Sequence, residues 1–303
     1  TGANGFTITR YIPRVEGLFA RIEKIRPNGQ SYFYWRVTTR DNINTYFGLQ
    51  ASSRLSDPKD ASRIYKWLPD MSFDDKGNVH VFEYKAEDLV GVPKTLHEQH
   101  RHNGLQGIAN LYLKRVYYGN KTPYSFGTAS AYAPVLPQPS DFFYTTVFDY
   151  GEHDTQNPTI YDDIPNDVSN IHRWLCRQDA FSDYHAGFEI RTYRLCKRVL
   201  SFSTFEELNP GATGSAKLTP HLIQSLNLTY KYENTPSDEL LETDYIIEAT
   251  HWMYRKISGG YDKKKLPPMK FAYNEVNWDT SIHSITKENL VHAPTGLSGS
   301  YQW

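Results

Sequence analysis

Sulfur is scarce here: the 303 residues include two cysteines and three methionines. Cys176 and Cys196 show no CxxC spacing and no histidine at zinc-finger distance, so they cannot build a disulfide framework or a zinc ribbon. We read two buried free thiols, with a single bridge as the alternative. Charge of one sign is also lacking, because 33 Lys and Arg balance 34 Asp and Glu to a net charge of −1. No basic excess marks a nucleic-acid partner, and no acidic excess marks a solvating tail. Mean hydropathy is −0.62. No apolar run approaches the roughly 18 residues of a membrane span, so no direct membrane insertion is expected. The chain opens on Thr1 with neither Met nor a basic n-region nor an apolar h-region, so we read a processed chain or a piece of a longer one. There is no G-x-S-x-G elbow, no P-loop and no G-x-G-x-x-G.

Tyrosine fills the gap. The chain holds 23 Tyr, 15 Phe and 6 Trp, and aromatics make up 15%. Such residues suit half-buried pleated surfaces and weigh against both disorder and a helical bundle. Alternating runs recur between turn signals, at 6–12, 17–25, 32–38, 42–47, 64–73, 78–84, 111–118, 142–150, 187–193, 198–205, 222–232, 245–257 and 269–273. Asp74-Asp75-Lys76-Gly77 reads as a hairpin connection between two of them, since glycine accepts a positive φ. Residues 90–107 read as a loop with one helical turn, 129–140 as an extended or exposed Pro-rich stretch, and 154–170 as a polar surface loop. With no βαβ unit and no long amphipathic helix, the fold class is all-β: a large twisted antiparallel sheet of successive hairpins with little helix.

The residues that could carry chemistry each have a plainer reading. His97, Glu98, His100 and His102 lack the i, i+4 histidine pair that puts two imidazoles on one helix face, so we read a solvated loop. Asp74–Asn78 misses the closing Glu of a calcium loop and the spacing of an Asp box, which leaves a turn. The adjacent carboxylates Asp162/Asp163, Glu206/Glu207 and Glu87/Asp88 cannot face each other across a cleft as glycosidase pairs do, so we read solvated edges. Cys196, with no base nearby in sequence, reads as a core thiol. The basic run Arg191, Arg194, Lys197, Arg198 is expected to form ion pairs with other strands. No catalytic, cofactor-binding or metal-ligating residue is assigned, and no cofactor is expected.

Longer strings carry a family resemblance. They are RYIPRVEGLFARIEK (10–24), WRVTTRDNINTYFG (35–48), SRLSDPKDASRIYKWL (53–68) and SFDDKGNVHVFEYKAED (72–88). NLYLKRVYYGN (110–120), VFDYGEHD (147–154) and FSDYHAGFEIRTYRLCKRVLSF (181–202) follow. Together they resemble the SpvB/TcdB-type family, which includes the B component of bacterial ABC (Tc) insecticidal toxin complexes. APTGLSGSYQW (293–303) resembles the run that leads into that family's β-propeller. The sequence departs from the family's pattern at LHEQHRHNGLQGIA and LCRQDAFS.

The resemblance implies a role. In that family the B component joins a C component with RHS/YD repeats to form a hollow β-shell around an unfolded effector. The adjacent propeller docks on a pore-forming A component. On this reading residues 1–290 are an SpvB-type shell segment, 291–303 lead into a propeller, the segment is not itself an enzyme, and the parent protein is secreted. Two alternatives stay open: a carbohydrate-binding or glycan-active β protein, and a secretion or adhesion module of an SpvB-like protein with a separate ADP-ribosyltransferase.

Overall fold

The structure, a computed structural model, describes residues 2–3, 5–17, 19–104, 108–126, 130–163, 174–231, 244–274 and 281. Of these, 45% are strand and 9% helix. The chain divides into two compact units, Thr1–Phe271 and Ala272–Trp303, and every strand named below belongs to the first. The run 291–303, expected to lead into a propeller, lies outside the described residues.

The strands in chain order begin with β1 (Gly2–Ala3), β2 (Phe6–Tyr11), β3 (Arg21–Pro27), β4 (Tyr34–Thr38) and β5 (Asn44–Phe47). Next come β6 (Arg54–Asp57), β7 (Asp60–Trp67), β8 (Pro69–Phe73), β9 (Val79–Ala86), β10 (Leu111–Asn120) and β11 (Phe142–Asp149). The last are β12 (Phe181–Asp183), β13 (Ile190–Thr192), β14 (Arg198–Ser203), β15 (His221–Tyr230), β16 (Ile246–Ile257), β17 (Gly260–Lys265) and β18 (Met269–Lys270). Fourteen of them form one open sheet in the order β1-β2-β3-β4-β5-β8-β9-β10-β11-β14-β15-β16-β17, with β18 paired to β16 beside β17. Neighbours are antiparallel and follow one another in sequence, apart from two side excursions. The β6/β7 hairpin leaves the sheet between β5 and β8, and β12/β13 leaves it between β11 and β14. This is the expected sheet of successive hairpins.

An expected strand needs correction. Residues 64–73 are not a single strand, because the run splits at Leu68 between the β6/β7 hairpin and the main sheet. The Leu68 N–H donates to the Ser53 carbonyl at 2.8 Å as the last rung beside the Arg54↔Trp67 pair. Its carbonyl accepts from the Gly48 N–H at 2.9 Å next to β5, and Pro69 has no N–H to carry the β7 ladder further.

Strand alternation gives the sheet two unlike faces. The cross-strand pairs Ile25↔Tyr34, Arg36↔Tyr46, Tyr46↔Met71, Met71↔Val81 and Val81↔Tyr117 run along one face, and all of these side chains are buried. Tyr124, Phe126, Tyr132 and Leu136 cover them. The stretch read as extended or exposed therefore closes a core, and within it Pro134 is buried. The Ala131 carbonyl accepts from the Tyr46 hydroxyl at 2.6 Å and from Arg36 at 3.0 Å, and the Tyr132 carbonyl accepts from Tyr34. Farther along the same face Val147, Leu200, Phe202 and Leu222 pack under Ile160. Each such apolar side chain contributes about 1.5–3 kcal/mol on burial. The opposite face carries Ile22, Trp35, Val37, Thr45, Phe82, Val116, Thr146 and Val199, all of intermediate exposure.

The Asp74–Gly77 turn forms as expected. Gly77 has φ +83° and Asp74 Oδ1 accepts from the N–H groups of Lys76 and Asn78, each at 2.9 Å. The loop with one helical turn is also present, as a 3₁₀ turn at Leu96–Glu98 running into a short helix at Gln99–His102.

Candidate functional site

Charge is buried at several points on the covered face, always with a partner. Glu23 on β3 stands opposite Arg36 on β4, and the carboxylate accepts from Arg36 Nε at 2.9 Å. Both side chains are almost wholly enclosed. Three larger clusters tie distant segments together.

The first lies after β9. Glu87 and Arg194 form a bidentate pair with neither side chain exposed. Arg194 also donates to the carbonyls of Val90 at 2.9 Å and Trp174 at 3.1 Å. Its guanidinium lies 4.2 Å from the centre of the Trp174 ring, and the Lys85 ammonium lies at the same distance from that ring. A cation against an indole face is favourable because the ring's π-cloud is electron-rich. Asp88, which is partly exposed, accepts from Trp174 Nε1 at 2.8 Å.

The second cluster fastens the short helix. Glu98 accepts from Arg101 at 2.7 Å, from Arg191 at 2.6 Å and from the Tyr193 hydroxyl. Arg101 reaches on to Glu189 at 3.0 and 2.5 Å, and Glu189 also accepts from Ser182 at 2.5 Å and Tyr184 at 3.0 Å. Burial raises the pKa of both carboxyls, but the hydrogen bonds to their charged forms outweigh it. Glu98 ends below the usual carboxylate range, and Glu189 is held down to about 2.

The third cluster is built by VFDYGEHD. Asp149 accepts from Arg198 Nε at 2.6 Å and from the N–H groups of Gly151 and His153. Glu152 accepts from Lys114 Nζ at 2.5 Å and from the Tyr150 N–H at 2.7 Å. His153 lies between Lys114 and the Thr159 carbonyl. Arg115 pairs with Asp163 and with Glu83 and donates to the Ile160 carbonyl at 3.1 Å. A bulge in the pairing of β10 with β9 between Leu113 and Arg115 lets Lys114 and Arg115 both point inward.

These clusters correct two expectations. LHEQHRH is not simply a solvated loop: His97 is exposed, but Glu98 and Arg101 are buried in the second cluster. Of the carboxylate pairs, Glu206/Glu207 are exposed as expected, whereas Glu87 and Asp163 are enclosed against arginines. The basic run does form ion pairs, through Arg191, Arg194 and Arg198, and Lys197 also lies over the Tyr230 ring at 4.9 Å. Both cysteines are free and half-buried, and burial raises Cys176 to about 11 and Cys196 to about 12. Asp74 is consumed in its turn. Among the described residues, no three His, Cys, Asp or Glu side chains gather as a metal site, and no helix is long and apolar enough to cross a membrane.

Glu87, Lys114, Asp149, Glu152, Glu189, Arg191, Arg194 and Arg198 fall within the strings that carry the family resemblance, whereas Glu98 and Arg101 fall in one that departs from it. Residues 1–205 match the family model SpvB, described as Salmonella virulence plasmid 65kDa B protein. Mono(ADP-ribosyl)transferase SpvB from Salmonella typhimurium strain 14028s is 35% identical over 215 residues, covering 70% of this chain and 34% of that protein. The same protein from Salmonella choleraesuis matches equally. The match thus spans about a third of the length of these relatives. Among solved structures, TcdB2-TccC3 aligns over 90% of this chain and 12% of its own, at TM-score 0.71 and 30% identity. The Photorhabdus luminescens Tc holotoxin pore aligns over 88% of this chain and 11% of its own, at TM-score 0.70 and 30% identity. The N-terminal domain of effector protein SpvB from Salmonella typhimurium strain LT2 aligns over 89% of this chain and 70% of its own, at TM-score 0.56 and 29% identity. This chain belongs to the SpvB family.

Proposed function

We propose that this chain is a non-enzymatic length of toxin shell wall. In the parent protein it would join an RHS-repeat C component in a hollow shell around an unfolded effector. An adjacent propeller would dock that shell on a pore-forming A component, for delivery outside the producing cell. The observation that carries the reading is the likeness to TcdB2-TccC3 across nine-tenths of the chain. Two physical features support it. The open sheet grows hairpin by hairpin, which suits a wall that continues into further strands. Its buried carboxylates are engaged by arginine, lysine or hydroxyl groups, an arrangement that holds loops in place rather than presenting charge to a substrate.

The test is to co-express the full parent protein with its candidate C component and image the product by electron microscopy. A closed particle with an internal cavity is expected. Two proteins that purify apart, or a particle without a cavity, overturn the reading. A second reading is favoured by the names of the curated relatives: the chain would be the N-terminal module of a protein with a separate ADP-ribosyltransferase domain. The sequence that follows residue 303 in the parent separates the two, a propeller favouring the shell and a transferase domain the second.

A further inference from the structure

His153 is a buried histidine whose protonation state is dictated by its neighbours. Its Nε2 lies 2.8 Å from Lys114 Nζ, and its Nδ1 lies 2.9 Å from the Thr159 carbonyl oxygen. An ammonium can only donate and a carbonyl can only accept. The imidazole must therefore accept at Nε2 and donate at Nδ1, which is the neutral Nδ1–H tautomer. A second proton would set two cations 2.8 Å apart and remove the acceptor that Lys114 uses.

The charged groups around it come from every side. Lys114 and Arg115 project from β10, and Lys85 on β9 stands 4.0 Å from Glu152. Arg198 on β14 donates to the His153 carbonyl at 2.9 Å. Asp149 and Glu152 belong to the same turn, and Asp162 and Asp163 approach the ring at 3.7 and 3.9 Å from the returning loop. Several of these carboxylates are already engaged: Glu152 by Lys114, Asp149 by Arg198, Asp163 by Arg115. They offset part of the cost of an imidazolium, while burial and Lys114 oppose it, and the balance leaves the ring harder to protonate than a free histidine.

We propose that the His153–Lys114 contact is an acid-sensitive latch that fastens the 150–163 loop across the covered face of the sheet. At neutral pH the ring joins Lys114 to the Thr159 carbonyl, and Ile160 and Asp163 seat over Val147 and Arg115. On acidification the detached loop takes up a proton at His153 more readily than the seated loop does. Protons then pull the loop off the sheet. The inference rests on these contacts alone and holds whether or not the chain forms a shell.

Hydrogen–deuterium exchange of the full chain tests it, with rates corrected for the intrinsic effect of pH. Exchange of 150–163 should rise by up to about tenfold for each pH unit below 6.5, while the Tyr34–Thr38 strand stays protected. His153→Gln keeps a neutral acceptor for Lys114 and should flatten the response. Equal pH dependence in wild type and variant, or none in wild type, overturns the latch. A readout that needs no variant is the imidazole NMR titration of the wild-type chain. A midpoint below 6.5 with the Nδ1–H tautomer supports the latch, and a midpoint at or above 6.5 overturns it.

Discussion

Arg194 and Glu87 lie 107 positions apart in the chain and meet with neither side chain exposed to solvent. Removing both charges from water is costly, and only a well-aligned bidentate pair with its remaining donors satisfied offsets it. Arg194 satisfies the rest on two carbonyls and an indole face. The pair therefore fixes which segment lies against which, joining the end of β9 to the stretch that leads into β14.

Breaking this pair from one side should be more damaging than removing it altogether. Glu87→Gln or Arg194→Met leaves a buried charge uncompensated and should destabilise the chain by about 3–5 kcal/mol. The double variant Glu87→Leu with Arg194→Met should lose less than the two single losses added together. Denaturant unfolding followed by tryptophan fluorescence gives all three values. Additive losses would show that the pair is not a unit.

Acid should weaken the fold in two stages. His153 is held below its ordinary value of 6.5, so the unfolded chain takes up the proton first and stability falls as pH drops below 6.5. Glu189 is lowered from 4.5 to about 2, so its contribution is complete above 4.5 and is lost as pH falls from there towards 2. Asp149 and Glu98 are shifted in the same direction as Glu189. Measuring unfolding free energy at pH 7.5, 5.5 and 3.5 separates the stages. His153→Gln should reduce the upper loss and leave the lower, and Ser182→Ala, which removes a hydrogen bond to Glu189, should do the reverse.

Two glycines in the left-handed region should respond unequally to alanine. Gly29 has φ +78° and a Cβ there meets nothing within 4 Å, so Gly29→Ala should cost about 1 kcal/mol of backbone strain. Gly77 has φ +83°, and a Cβ there comes within 2.8 Å of the Tyr124 backbone. Gly77→Ala should cost clearly more and should also loosen the cover formed by Tyr124, Phe126, Tyr132 and Leu136, read as faster exchange of the amides of 124–126 and 130–136. Equal losses at the two sites would contradict the close approach.

The sheet was readable because alternation is local. β9 and β11 declare themselves within a few residues, and Asp74–Gly77 announces its own turn. The break in 64–73 had a visible signal too, since Pro69 sits where an uninterrupted central strand would need a donor. The buried charges were not readable. Glu98 has Arg101 three residues on, but such a pair also forms on a solvated turn, and the partners that enclose the carboxylates are remote: Glu98 lies 93 positions from Arg191, and Asp163 lies 48 from Arg115. The arginines gave half the answer: a basic run inside a strand-like segment of a nearly neutral chain requires acidic partners, but not which ones. The Pro-rich stretch 129–140 misled for a similar reason, because proline content reports the backbone's shape and says nothing of the tyrosines that its described part covers.

The two thiols give the last test, because their environment differs from that of a reactive cysteine. Burial raises Cys176 to about 11 and Cys196 to about 12 from an ordinary 9.0. The thiolate is the nucleophile, so at pH 8 the reactive fraction should fall about 100-fold for Cys176 and about 1000-fold for Cys196 relative to an unshifted thiol. Native chain should therefore react slowly with a thiol reagent and should release both groups together on unfolding. Cys176 should precede Cys196 in the native reaction, because its thiol is raised less. The linkage also has a sign. Unfolded thiols ionise near 9 while folded ones do not, so stability should decline as pH rises above 9. Replacing both cysteines with alanine should remove the part of the decline that begins near 9, while the part above 10, where buried tyrosines such as Tyr112 and Tyr150 are also raised by burial, and the acid stages remain. Rapid modification of Cys196 in the native chain at pH 8 would contradict its packing against the Tyr112, Tyr150 and Trp174 cluster.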